Sequence, residues 1–255
     1  MSSRLPISTV SEYFIESQKG GLQEHVLQFE NILTMLQYRK TYEVALKYIK
    51  QGMKVLDWGC GNGHFAYFLT KQKIDTTGYS FLTDPVILEN QPLFHFIQGD
   101  SKDPATLPFA DSTFDIVFSI GVLEHVYETG GSEERSLQEI RRVIKPGGRF
   151  LCFHFPNKHQ WVEPLGKLLG LTEYFHLRKY TRRDIQQFAE SIGFDIEEIG
   201  RYNFFPRNQL RFLPAKLKQN NSVIYLFEFI DGLFSRLFPW LCTNYYFVAK
   251  VKKRA

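Results

Sequence analysis

The stretch VLDWGCGNGHF, Val55 to Phe65, decides how the rest of the chain is read. Val55-Leu56 is a short apolar run of the kind that forms a buried strand, and residues 64–69 read as the first turns of a helix. Between them Gly59, Gly61 and Gly63 recur at every second position. Glycine suits a strand that must turn sharply into a helix while its bare backbone approaches a ligand. The helix start leaves N–H groups unpaired and turns the positive end of its dipole toward that ligand. The dinucleotide pattern G-x-G-x-x-G does not fit. Its third glycine would fall on His64, and at the end of the next strand, where an acid is expected, stands Ser80. What stands here instead is Asp57 two residues before Gly59, giving D-x-G-x-G-x-G.

Outward from this turn, strand and helix patterns alternate. Residues 74–79 read as the second strand and 93–97 as the third, ending at Gly99-Asp100. Residues 114–120 read as the fourth, ending at Gly121, and 149–155 as the fifth. Ser132 is placed to cap a helix running through Ile144, with Glu133 and Glu134 in its first turn and Arg141, Arg142 and Lys145 near its end, as the helix dipole favours. Pro146-Gly147-Gly148 reads as a stop and turn. Thr181 is placed to cap a helix through Ser191, ended by Gly193, before a sixth strand at 194–199. A last strand is expected at 244–251, before the basic tail Lys252-Lys253-Arg254. Upstream, residues 1–20 read as a loose arm, and apolar spacing from Val26 through Phe29, Leu33, Leu36, Val44 and Ile49 predicts two helices. The expected domains are a helical arm or lid, 1–50, and a main domain, 51–255, with an amphipathic insertion at 204–243. The alternation argues for an α/β fold, a parallel sheet with helices on both faces.

Composition narrows the function classes. A chain of 255 residues with 44% hydrophobic content has room for one large α/β domain. A net charge of +4 without a clustered basic stripe gives no reason to expect nucleic acid. Cys60, Cys152 and Cys242 are odd in number and far apart, which suggests a reducing compartment. No apolar run of leader length opens the chain, so a cytoplasmic location is expected. No cluster of Cys, His or carboxylates has metal-ligand spacing, and no metal is expected.

Several segments then fall in a familiar order. D-x-G-x-G-x-G at 57–63 is followed by Gly99-Asp100-Ser101, by Leu107-Pro108-Phe109 with Ser112-Thr113-Phe114-Asp115, and by Val122-Leu123-Glu124-His125-Val126. Then come Arg142-Val143-Ile144-Lys145-Pro146-Gly147-Gly148 and the stretch from Tyr180-Thr181 to Gly193-Phe194. Together they resemble the class I S-adenosylmethionine-dependent methyltransferases of the type 11/23 domain. The resemblance implies a Rossmann-like, doubly wound sheet of seven strands, mostly parallel with one antiparallel strand, and S-adenosyl-L-methionine as cofactor. By that resemblance Asp57 would hold the methionyl amino group, and Gly59, Cys60, Gly61 and Gly63 would pass beneath the methionine and ribose. Asp100 would accept from the adenine amino group, with Ser101 offering its backbone N–H. Ile120 and Gly121 would line the methionine end. One position departs: the family usually has an acid at the end of the second strand for the ribose hydroxyls, and Ser80 stands there. Asp84 is within reach in sequence, either for the ribose or as the acid at the start of the next helix.

Methyl transfer from a sulfonium needs positioning and desolvation, and a base if the acceptor is a hydroxyl. His125, His154, His159 and His176 are the candidates. The family's amino-methylating signature Asn-Pro-Pro-Tyr and a Pro-Cys nucleophile are both missing, which argues against base or glutamine methylation. Residues 223–241, VIYLFEFIDGLFSRLFPWL, carry Glu228, Asp231 and Arg236, too many charges for a membrane span. On a helical wheel Glu228, Asp231, Gly232 and Ser235 share a narrow polar face. Phe227, Ile230, Phe234, Leu237, Phe238 and Leu241 cover much of the rest, and Arg207, Arg211, Lys216 and Lys218 precede the segment. Such a segment is either a cap packed into the fold or an interfacial helix with peripheral membrane contact. The expected activity is methylation of a small-molecule acceptor, an oxygen of a sugar, lipid-linked glycan or secondary metabolite. A lipid or quinone-type acceptor and a cofactor-binding scaffold without turnover are the alternatives.

Overall fold

The computed structural model describes residues 5–170, 176–207, 210 and 213–252. Arg211, Lys253 and Arg254 lie outside the described residues. In chain order the regular elements begin with α1 (Ile7–Lys19), α2 (Ile32–Met35), α3 (Arg39–Tyr48), β1 (Lys54–Trp58) and α4 (His64–Lys71). Next come β2 (Asp75–Ser80), β3 (Phe94–Gln98), β4 (Phe114–Ile120), α5 (Glu133–Val143) and β5 (Ile144–Pro156). The chain continues with α6 (Val162–Leu168), α7 (Arg182–Ser191), β6 (Phe194–Tyr202), α8 (Ala215–Lys218), α9 (Asn221–Leu237) and β7 (Asn244–Val251). The chain divides into two compact units. A sheet unit comprises Ile49–Lys158, His176–Gly200 and Tyr245–Ala255. A helical unit comprises Met1–Tyr48, His159–Phe175 and Arg201–Asn244.

The seven strands lie in the order β3-β2-β1-β4-β5-β7-β6. The first five are parallel neighbours, and β7 runs antiparallel to β5 and β6. This is the fold expected from the sequence. The register aligns the carboxyl ends: Asp57 sits opposite Gly78 of β2 and Phe118 of β4, and Ser119 of β4 opposite Cys152 of β5. The central strands are apolar because helices cover both sheet faces. Leu56, Val117, Phe150, Phe155, Phe194 and Phe247 are all buried in one core cluster. The caps hold the helices where the sequence placed them. Ser132 Oγ accepts from Arg135 N, and Thr181 and Asp184 form a reciprocal capping box at the start of α7.

Four expectations change. The arm at 1–20 is a helix, α1, that buries Val10 and sets Tyr13 edge-on to Tyr42 of α3. The two helices expected upstream of β1 are cut into 3-10 turns, α2 and α3, because the Asn31 side chain accepts from Thr34 N and starts a new helix there. Pro146-Gly147-Gly148 does not end an element. It lies inside β5, where Gly147 at φ +80° and a register shift between Phe114 and Ile116 absorb the irregularity. Between β2 and β3 only a three-residue 3-10 turn forms, Val86–Leu88, and no helix lies among the described residues between β3 and β4.

In the helical unit α9 is turned the opposite way from an ordinary surface helix. Its acids point inward: Glu228 is 1% exposed and Asp231 likewise 1%. Glu228 pairs with both Arg39, at 2.7 Å, and Arg207. Asp231 takes Arg207 Nη2 at 2.9 Å and the backbone N–H groups of Phe204 and Phe205. Four charges thus neutralise one another out of water. Tyr225, Leu226, Phe229, Leu233, Leu237 and Trp240 are exposed, Phe229 at 67%. Arg207 is therefore an inward-facing partner and not a surface cation, whereas Lys216 is exposed.

Candidate active site

The glycine turn is pinned to the neighbouring strand. Gly59 N and Cys60 N both donate to Tyr79 O, at 2.8 and 3.1 Å, and Gly63 N donates to Cys60 O. The three glycines serve different ends. A Cβ on Gly59 would lie 2.4 Å from Val122 Cγ2, and one on Gly63 would run into Pro85 and Leu88. Those two let side chains close over the turn. Gly61, at φ +51°, meets only Gly59 O at 4.0 Å, so its bare backbone faces open space. Asp57 is 1% exposed. Its carboxylate accepts from the backbone of Ala66, in the first turn of α4, while Oδ2 is buried without a hydrogen-bond partner. Burial outweighs the Ala66 bond and pushes the carboxyl up from 3.8 to about 7.

The ends of β2 and β3 bring further candidates. Ser80 is buried, and its Oγ accepts from Leu82 N at 3.1 Å. Asp84 is exposed and close enough to raise the Cys60 thiol, after burial and Asp57. Cys60 therefore stays a protonated thiol and is no nucleophile. Asp84 is not a helix cap: the following 3-10 turn has Pro85 at its N-cap and no side-chain cap. Asp100 and Ser101 are exposed just beyond β3, and Asp100 Oδ1 accepts from Lys102 N at 2.8 Å, fixing the carboxylate in a turn.

At the ends of β4 and β5, Ile120 and Gly121 are half-buried. A Cβ on Gly121, at φ +70°, would lie 3.7 Å from Glu124 Oε1 and 3.9 Å from His154 Cβ. His154 holds a left-handed backbone, φ +59°, rare for a residue with a side chain. Burial pushes its imidazole down to about 4. It pushes the neighbouring His64 down to about 3, with the His154 charge adding to the effect. His125 and His176 stack with ring centroids 5.7 Å apart. His159 is exposed and belongs to the helical unit, whereas His125, His154 and His176 belong to the sheet unit.

Glu124 is the site residue that sequence reasoning passed over. It is 5% exposed, and burial pushes its carboxyl up from 4.5 to about 8. The available signal was an acid next to a histidine inside the otherwise apolar run Val122-Leu123-Glu124-His125-Val126. Sequence spacing also gave no metal set, whereas the fold brings Glu124, His125 and His176 together.

These residues fit a cofactor carrying an ammonium group. The orphaned Asp57 Oδ2 is an acceptor with nothing to accept from, and the uncovered Gly61 backbone admits a ligand alongside it. Residues 56–152 match the family model described as a methyltransferase domain. A methyltransferase of Encephalitozoon cuniculi is 30% identical over 142 residues, 55% of this chain and 64% of that protein, just under two thirds of its length. The 2-phytyl-1,4-naphtoquinone methyltransferase of Nostoc punctiforme is 31% identical over 58% of this chain and 73% of that one. Among solved structures, a SAM-dependent methyltransferase of Methanosarcina mazei superposes with a TM-score of 0.57 at 16% identity, covering 83% of this chain and 98% of its own. With the sheet order, the glycine turn and the orphaned acid in place, the chain belongs to the class I S-adenosylmethionine-dependent methyltransferases.

Proposed function

We propose that the chain methylates an oxygen of a small, lipid-linked acceptor at a membrane surface. S-adenosylmethionine supplies a methyl group on a positively charged sulfur, already activated for displacement. Asp57 would take the methionyl ammonium on Oδ2, Asp84 and Ser80 the ribose hydroxyls, and Asp100 the adenine amino group. Ile120 and Gly121 would exclude water at the methionine end. His154 stays uncharged at neutral pH, so it can accept a hydrogen bond from the acceptor hydroxyl without placing positive charge beside a sulfonium. Its low basicity makes it a group that orients that hydroxyl rather than one that stores its proton.

The observation that carries the lipid-linked acceptor is the outward apolar stripe of α9. Burying its acids against Arg39 and Arg207 leaves aliphatic and aromatic residues facing out, with Tyr225 in its first turns, Trp240 in the 3-10 turn just after it, and Lys216 and Arg236 exposed nearby. That pattern suits a helix lying in a headgroup layer. Among the described residues no helix is long and apolar enough to cross a membrane. In the same unit a cleft of about 770 Å³ runs along α1 and the start of α9, with Phe14, Ile15 and Ile224 beside Glu12, Glu30 and Lys218 in its lining.

The name of the Nostoc punctiforme relative supports a second reading, a quinone-type carbon as acceptor. Methyl-labelled S-adenosylmethionine incubated with separate lipid and aqueous extracts decides between them. Label in the lipid fraction that is released by ether cleavage is the expected result. Label resistant to that cleavage favours the carbon acceptor, and label only in the aqueous fraction removes the membrane acceptor. Cofactor binding without any transfer would leave a scaffold.

A further inference from the structure

Three side chains that the sequence keeps apart meet at the carboxyl end of β4. A ligand-capable atom from each of Glu124, His125 and His176 lies within 4.8 Å of the other two. The Glu124 side chain is 2% exposed, and its Oε2 has no hydrogen-bond partner. A buried carboxylate oxygen left unmatched is destabilising. His125 Nδ1 lies 3.0 Å from Glu128 Oε2. An ionised carboxylate there accepts a proton from Nδ1 and leaves the lone pair on Nε2. That Nε2 is the nitrogen 3.9 Å from Glu124 Oε1. One ring nitrogen held by a carboxylate while the other faces a second ligand is how metal-binding imidazoles are oriented.

We infer that Glu124, His125 and His176 bind one divalent first-row transition ion of the zinc class, with a coordination position left for the acceptor's hydroxyl oxygen. Two imidazoles and one carboxylate suit such an ion; calcium and magnesium prefer all-oxygen sites. With ligand bonds of about 2.0–2.1 Å, tetrahedral ligands stand roughly 3.3 Å apart. The 3.9 Å between Nε2 and Oε1, and separations of up to 4.8 Å within the group, require the three side chains to draw together on the ion. Glu128 acts as a positioning residue through His125. The role of the ion in catalysis rests on the oxygen acceptor proposed above. A hydroxyl bound to such an ion loses its proton to solvent near neutral pH. The freed oxygen lone pair then forms the O–CH3 bond as the donor's C–S bond breaks, and the sulfur keeps the electron pair of that broken C–S bond and becomes a neutral thioether. This supplies the deprotonation that the weakly basic His154 does not.

The test titrates the chelator-stripped full chain with Zn2+ alone by calorimetry, counts bound metal after dialysis, and measures S-adenosylmethionine binding on the same preparation. One ion per chain is expected. His125→Gln and His176→Gln, both at positions with partial exposure, should each weaken it at least tenfold. Glu128→Gln should weaken it about tenfold through the misoriented imidazole. His95→Gln, at a side chain 63% exposed elsewhere on the sheet, should leave it unchanged. Cofactor binding without stoichiometric Zn2+ uptake would overturn the ion site and leave the methyltransferase reading standing. So would uptake that survives both His125→Gln and His176→Gln. Absent cofactor binding would sink the proposed function instead, while the metal titration still decides the ion site.

Discussion

Asp57 answers two opposed demands. To hold a ligand ammonium it must be ionised, yet it sits 1% exposed with one oxygen unmatched. Its carboxyl ionises near 3.8 in an unfolded chain and near 7 in the fold. Ionisation is therefore a penalty on folding, absent below pH 3.8 and complete above about 7. At full size it is about 4 kcal/mol by the pKa difference, an upper bound because water entry softens it. Asp57→Asn keeps an oxygen for Ala66 N and removes the charge. The variant should be more stable than the parent at pH 8, by a few kcal/mol in denaturant unfolding, and the gain should vanish near pH 4. It should also lose cofactor binding; a variant that is both more stable and fully competent to bind would show that Asp57 is only a cap. For the ribose, Asp84→Asn should weaken binding about tenfold, as expected for loss of a charged acceptor, and Ser80→Ala by less. Equal, negligible effects would place the ribose elsewhere. Asp57 and its glycines were legible in the sequence because a spacing of two residues is enforced by local backbone geometry. Glu124 was not, since its importance comes from burial between strand ends that only the folded sheet creates.

At the level of elements, α9 shows what a helical wheel leaves open. The wheel gave the two faces, but not which one points in. Arg39 and Arg207, far from α9 in sequence, turn the acids inward, and no local pattern carries that information. Removing Arg207 would leave two buried acids with Arg39 as the one cation the network still holds, and hence one uncompensated buried charge, so Arg207→Leu should destabilise the chain by about 3–5 kcal/mol. A loss under 1 kcal/mol in thermal or denaturant unfolding would mean the network is hydrated. The outward stripe makes the opposite prediction. Leu226→Glu with Phe229→Glu changes exposed positions and should leave stability within about 1 kcal/mol. It should reduce co-sedimentation with anionic liposomes at least tenfold, since each side chain contributes about 1.5–3 kcal/mol when removed from water. Unchanged sedimentation would remove the membrane surface from the account. The second, third, fourth and last strands, by contrast, were read to within a residue, because their short apolar runs are bounded by glycine and charged turns, whereas the fifth begins five residues earlier than read and the sixth ends three residues later. The elements misread were those where a proline or an asparagine cap reset the backbone: Asn31, Pro85 and Pro146.

On the scale of the whole molecule, the sheet unit carries the proposed donor site and the helical unit carries the apolar stripe and its adjoining cleft. The seven-stranded, mostly parallel sheet with one antiparallel strand was implied by the succession of motifs. The division into units was not, since each is assembled from three separated stretches. The central claim is that the sheet unit binds S-adenosylmethionine through Asp57. It is tested most directly by calorimetric titration of the full chain with S-adenosylmethionine at pH 6 and pH 8, beside the Asp57→Asn variant. Because Asp57 titrates at about 7 and binding needs its ionised form, affinity should rise about tenfold from pH 6 to pH 8, with a proton released on binding at the lower pH. The variant should not bind at either. A folded chain that takes up no S-adenosylmethionine, or one whose affinity is the same at both pH values and indifferent to Asp57→Asn, would contradict the account.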